Sequence, residues 1–195
     1  MGDNKDQERS LHEEEHSAAT QGGVRYESVL LKEAYGYMKR KEYEKAAEIF
    51  EEVLKKCARA MDDEQKNIIN RECAMLYFWL SEYDAALRHA EAALTIFSDD
   101  EEAFVILGKI AVARFEFAKA RGYFAKLSVE NPERAMGLCL VCLKLRDVSG
   151  AEKYLSDAAA HVPTTNPEYV VYRAYLTLLK GATGVAVKEA RDVAP

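Results

Sequence analysis

From about residue 26 onward, apolar residues recur three and four positions apart, the spacing that lines one face of an α-helix. Few stretches alternate as strands do. The periodic stretches come in pairs joined by short polar turns. The first pair is Leu30 to Met38 and Tyr43 to Leu54, with Arg40-Lys41-Glu42 between them. The second is Ile68 to Leu80 and Tyr83 to Ile96, turning at Ser81-Glu82. The third is Glu102 to Phe115 and Phe117 to Leu127, the fourth Pro132 to Leu145 and Ser149 to Ala160, the fifth Pro167 to Leu179 and Val185 to Val193. Ser98-Asp99-Asp100, Asn131-Pro132 and Asn166-Pro167 mark helix starts, with Asp or Asn as cap and Pro in the first turn. Residues 1–24 lack this pattern and end in Gly22-Gly23, so they are expected to form a disordered acidic tail.

Each pair carries a small residue in its second helix: Ala46, Ala86, Ala120, Ala151 and Ala186, spaced 40, 34, 31 and 35 apart. A small residue there lets two helix backbones approach closely. A bulky residue four positions later, as in Phe50, Phe124 and Leu155, fills the space between successive pairs. Copy three is the fullest: Phe104-x-x-Leu107-Gly108, then Phe117, Ala120, Phe124 and Pro132.

With these residues the chain resembles the tetratricopeptide repeat (TPR) family over nearly everything after the tail. Copy one offers Leu30, Ala34, Tyr37, Ala46 and Phe50, and copy two Ala74, Tyr77, Ala86 and Ala93. Copies four and five drift from the pattern, with Cys139 and Ala174 at the Gly position. The resemblance implies an all-α fold, a right-handed superhelical array of about five antiparallel helix pairs. The copies lie near 27–60, 67–100, 101–131, 132–165 and 167–195, in one repeat domain covering 25–195. It implies a binding scaffold, because stacked helix pairs present a concave face lined by the first helix of each pair.

The family's groove positions fall here on Leu31, Tyr35 and Met38; Arg71, Met75, Phe78 and Trp79; Val105, Lys109 and Val112; Met136, Leu140, Leu143 and Lys144; and Val171, Tyr175, Leu178 and Leu179. This face is apolar, with the Met and aromatic content that suits capture of an amphipathic helix. The alternative is that these side chains pack against one another. Glu102, Glu133 and Glu168 recur at one position and could form an acidic ridge beside it, or simply favour the helix dipole from a first turn. The clamp by which co-chaperone TPR domains hold chaperone carboxylates needs Lys, Asn and Arg. Leu31, Tyr35, Glu72, Glu102 and Ile106 stand there instead.

Composition narrows the classes. Net charge is −6, of which the tail contributes −4 from six acids and two bases. A nucleic-acid surface is therefore not expected. No apolar run approaches the roughly 20 residues of a membrane span, and no signal peptide is expected, because the first 24 residues are polar and acidic. Met1-Gly2 lacks the Ser or Thr at position 6 of a myristoylation signal, Asp6 standing there. Four cysteines without a secretory signal suggest free thiols, hence cytosol or nucleus.

Two motifs invite chemistry. His12-Glu13-Glu14-Glu15-His16 matches a zinc-protease spacing, but no apolar helix surrounds it and no third ligand can be named. Cys139-Leu140-Val141-Cys142 falls mid-helix, where core cysteines are expected rather than a redox pair or zinc ligands. His89 and His161 are expected to stand alone, one on the surface and one at a helix end. No enzyme, cofactor or metal is expected. The expected partner is a protein segment, with a co-chaperone adaptor as alternative. At the C-terminal end Leu176, Leu179 and nearby Val residues are expected to be partly exposed, or else buried in a homodimer.

Overall fold

The computed structural model describes residues 27–181, and helices alternate with short connectors throughout them. A first helix, α1, runs through 27–39. It is followed by α2 (Tyr43–Lys56), α3 (Asp63–Trp79), α4 (Tyr83–Ile96), α5 (Glu101–Ala113), α6 (Phe117–Ala125), α7 (Pro132–Lys144), α8 (Val148–Ala158) and α9 (Pro167–Leu179). The fold class is all-helical, as expected. The tail with its His-Glu-Glu-Glu-His motif and the helix expected at Val185 to Val193 lie outside the described residues.

The chain divides into two compact units, one through Ser98 and one from Asp99. In the first, α2 packs on α3 and α3 on α4, around Leu30, Ala34, Ala46, Phe50, Val53, Ile69, Cys73 and Leu76. In the second, α5 packs on α6, α6 on α7, α7 on α8 and α8 on α9, and α7 also touches α5 and α9. Ala46, Ala86, Ala120 and Ala151 are all fully buried, so the small residue sits at the helix contact in every described copy.

One turn is built four times. Lys41, Ser81, Phe115 and Arg146 hold left-handed backbone, with φ of 61°, 63°, 61° and 58°. The next residue's N–H reaches back to the helix just ended: Glu42 to Tyr37 at 3.0 Å, Glu82 to Tyr77 at 2.8 Å, Glu116 to Ala111 at 2.8 Å and Asp147 to Cys142 at 2.9 Å. These bonds satisfy carbonyls that a helix end otherwise leaves bare. The same residue then takes the N-cap position of the following helix, where the side chain of Asp147 accepts from the Gly150 N–H and those of Glu42, Glu82 and Glu116 make no capping bond. Gly181, with φ of 85°, follows α9 in the equivalent place.

The ring of Phe124 explains two glycines. A Cβ on Gly108 of α5 would lie 2.6 Å from it, and one on Gly137 of α7 would overlap it outright. The bare backbones form the slot that the bulky residue of α6 fills.

Several boundaries differ from the periodicity by two or more residues, three of them in α3, α5 and α6. α3 starts at Asp63 rather than near Ile68, because Asp62 and Gln65 form a reciprocal capping box, 2.8 Å and 3.1 Å, that starts the helix five residues ahead of its apolar stripe. α5 stops at Ala113, leaving Phe115 in the turn instead of ending the helix. α6 ends at Ala125, before Leu127.

Candidate partner-binding faces

In the first unit the expected groove residues stay within reach of solvent. Tyr35 is 37% exposed and Trp79 47% exposed. Tyr35 meets Phe50 edge-on at 5.2 Å between ring centroids. Burial pushes its hydroxyl pKa up, and Glu72, which takes its hydrogen bond, adds to the shift. Trp79, the last residue of α3, lies 4.9 Å from the ring of Tyr43, and Phe78 lies 6.0 Å from Tyr83. Leu31 and Met38 are half-buried against the core, and Arg71 and Met75 are half-buried on α3.

The second unit is different. Val105, Met136 and Leu143 are buried, Met136 and Leu143 in one cluster with Ala151, Leu155 and Tyr172. Their place is in the packing of α5 and α7, which takes them out of a groove lining. Leu140 and Tyr175 are half-buried against that cluster, and Val112 is half-buried on α5. Lys109 is ion-paired with Glu133 at 3.2 Å. Lys144, Val171 and Leu178 are exposed, and Leu179 is half-buried. Leu176, expected to be partly exposed, is instead buried with Tyr169 and Tyr172.

The three recurring glutamates occupy the first turns of α5, α7 and α9, each where a helix N-terminus favours an anion. Glu133 pairs with Lys109, and Glu168 accepts a hydrogen bond from the Tyr172 hydroxyl at 2.5 Å. The neighbouring Glu101 fastens a connector. It accepts from the Ser128 backbone N–H and from Asn131 Nδ2, both at 2.6 Å. Those bonds, Asn131's foremost, hold its carboxyl below the usual range.

His89 does not stand alone. Its Nδ1 lies 3.0 Å from Asn70 Oδ1 and its Nε2 3.3 Å from Glu51 Oε1. The Tyr77 ring stacks on it at 5.7 Å. Asn70 Nδ2 donates to the Lys66 carbonyl and Asn67 Nδ2 to the Ala93 carbonyl, so a polar seam ties α2, α3 and α4. The imidazole also borders a surface depression of about 650 Å³ lined by Glu48, Glu51, Glu52 and Lys55. His161 is exposed after α8, as expected. Cys139 and Cys142 are buried free thiols. Burial pushes Cys139 up to about 12, and burial raises Cys142 too. Burial thus disfavours the thiolate, the reactive form of cysteine, at both positions. Among the described residues no group of three or more His, Cys, Asp or Glu is placed to hold a metal. No described helix is long and apolar enough to cross a membrane.

Comparison with solved structures decides the fold. TTC0263, a thermophilic TPR protein of Thermus thermophilus, superposes with a TM-score of 0.69 at 19% identity, over 86% of this chain and 89% of that one. A tetratricopeptide repeat protein from Parabacteroides merdae gives 0.71 at 16% identity, over 86% and 64%. The fold is a TPR fold. PilW, a type IV pilus biogenesis factor, is similar as well, with a TM-score of 0.70 at 21% identity over 86% of this chain and 77% of that one. At these identities the likeness speaks for the fold alone. No protein-family model matches the sequence, and no curated protein matches it.

Two contributors escape the TPR groove offsets. Tyr43 and Tyr83 open α2 and α4 and lie against Trp79 and Phe78. Their signal is a recurring acid–aromatic pair just after the turn, Glu42-Tyr43, Glu82-Tyr83 and Glu116-Phe117.

Proposed function

We propose that this chain is a non-catalytic interaction scaffold that holds an apolar helix or extended segment of a partner protein, as a subunit or adaptor of a larger assembly. The observation that carries the proposal is the pair of half-exposed aromatics, Tyr35 and Trp79, on the helices that line the concave face of TPR folds. Large aromatic side chains left in water are a common mark of contact surfaces. Trp79 is the chain's only tryptophan, so its emission reports on that face directly.

The test is a titration of the full chain with a library of amphipathic-helix peptides, followed by Trp79 emission. A peptide that shifts the emission to the blue, and whose affinity falls about tenfold or more in Tyr35→Ala, supports the proposal. Phe78→Glu probes the same face, and deleting residues 1–24 should leave binding intact. Peptides that bind equally well to the wild type, Tyr35→Ala and Phe78→Glu would sink the idea. A chaperone C-terminal peptide is expected to bind weakly or not at all, since Glu72 and Glu102 stand where that clamp needs Asn and Lys. This expectation sets the co-chaperone adaptor behind the general scaffold.

A further inference from the structure

The turn between α5 and α6 carries an oddity that neither packing nor backbone geometry explains. Phe115 holds φ of 61°, a region that bulky residues rarely enter. It is also 78% exposed, and among the described residues its one ring neighbour is Phe117, edge-on at 6.2 Å. The turn between α1 and α2 provides a control. There Glu42 is braced by Arg40 at 2.8 Å and Lys45 at 2.6 Å. In the later turn Glu116 is braced the same way by Arg114 at 3.1 Å and Lys119 at 2.6 Å. The two frames match, and the left-handed position holds Lys41 in one and Phe115 in the other. The turn therefore has no need of an aromatic. A strained conformation kept without structural return is a reason to look for function.

The second unit adds to this. α7 touches both α5 and α9, so the three helix ends fall side by side along one edge. Leu145 at the end of α7 is 54% exposed, and Leu178 at the end of α9 is 46% exposed. With helix axes about 8–10 Å apart, the row from Phe115 to Leu178 spans roughly 20 Å. Lys144 and Arg146 flank Leu145, are exposed, and have no anionic partner among the described residues. Glu116 is already neutralised by two cations, and Glu152 is paired with Lys180. Asp147, the next residue, is an exposed carboxylate that accepts from the Gly150 N–H. With it counted against Lys144 and Arg146, the charge left on this edge is still positive, in a chain whose net charge is −6.

We propose that this edge, Phe115, Leu145 and Leu178 with Lys144 and Arg146, is a second docking surface. Its occupant is an acidic segment of a partner protein that presents large apolar residues among its carboxylates. The three apolar side chains take the partner's apolar residues, and the two free cations set the sign of its charge. An extended segment of about six residues covers the row. Two free cations are few for holding an anionic membrane, where each contributes only about 1 kcal/mol, so a protein segment is the better fit. Two of its residues, Lys144 and Leu178, fall at expected groove positions, but Tyr35 and Trp79 belong to the other compact unit, so this surface is tested without them.

The probe is a fluorescein-labelled peptide of about 12 residues that alternates Glu or Asp with Leu and Phe. A control peptide carries Lys in place of the acids. Anisotropy with the full chain should show binding of the acidic peptide only, weakened by high salt. The double variant Lys144→Glu/Arg146→Glu and the single variant Phe115→Gly should each lower affinity about tenfold or more. Glycine relieves the left-handed strain at position 115, so Phe115→Gly cannot lose binding by unfolding the turn. Trp79→Ala should leave this affinity unchanged, which separates the result from the concave face. The proposal is overturned if the acidic peptide does not bind, if the basic peptide binds as well, or if affinity survives both edge variants. It is equally overturned if phosphatidylserine vesicles bind through these residues while the peptide does not.

Discussion

The tightest constraint at the residue scale is the ring of Phe124. Alanine normally stabilises a helix interior relative to glycine by about 1 kcal/mol. At Gly137 that gain is outweighed, because the new methyl would overlap the Phe124 ring and overpacking costs about 1–3 kcal/mol. Gly137→Ala should therefore lower the denaturant midpoint, whereas Gly122→Ala, with open space around it, should raise it. The double variant Gly137→Ala/Phe124→Leu should recover part of the loss. Glu101 sets a second residue-scale expectation. Its folded-state pKa lies below the unfolded value, so its contribution is complete above about pH 4.3 and fades as pH falls through the folded value. Glu101→Gln should melt below the wild type at pH 7, and the difference should shrink on acidification towards pH 3. A difference constant in pH would mean that packing rather than charge holds the connector.

Among the elements, the left-handed turns and the caps decide where helices begin and end. Four non-glycine residues sit where glycine has no steric cost. Ser81→Gly should raise stability by about 0.5–1 kcal/mol, the strain relieved less the entropy glycine adds to the unfolded chain. Asp62→Ala should cost about 1 kcal/mol, with faster amide exchange confined to the first turn of α3. The same elements mark how far the sequence is legible. The turns at Lys41 and Ser81 stand out as polar breaks in an apolar rhythm. The start of α3 does not, because Asp63 to Asn67 are all polar and only the cap pairing betrays the helix. Phe115 is hidden for the opposite reason: an aromatic after an apolar stripe looks like more helix, and nothing in its side chain announces a positive φ.

For the whole molecule, the repeat rhythm and the small alanines suffice for a TPR fold, since each copy repeats one local solution. The candidate surface is less legible. Family offsets mark direction on an ideal helix, but burial depends on which neighbour leans in. Tyr35 and Trp79 therefore remain at the surface while Leu143 disappears into the α7–α8 contact. The molecule-wide expectation concerns thiols. All four cysteines are buried and free, and burial raises Cys57, Cys73, Cys139 and Cys142 alike. A disulfide-exchange reagent should label them slowly in the native protein and all at once in denaturant. One thiol that reacts rapidly in the native state would mark a local opening.

The slot around Phe124 also makes that ring a clock. Its Cδ1–Cε1 edge lies against the bare backbones at Gly108 and Gly137, so a half-turn of the ring can occur only when α5 and α7 draw apart for a moment. At low temperature its two edges should give separate proton resonances, and the temperature at which they merge would time the breathing of the third and fourth hairpins.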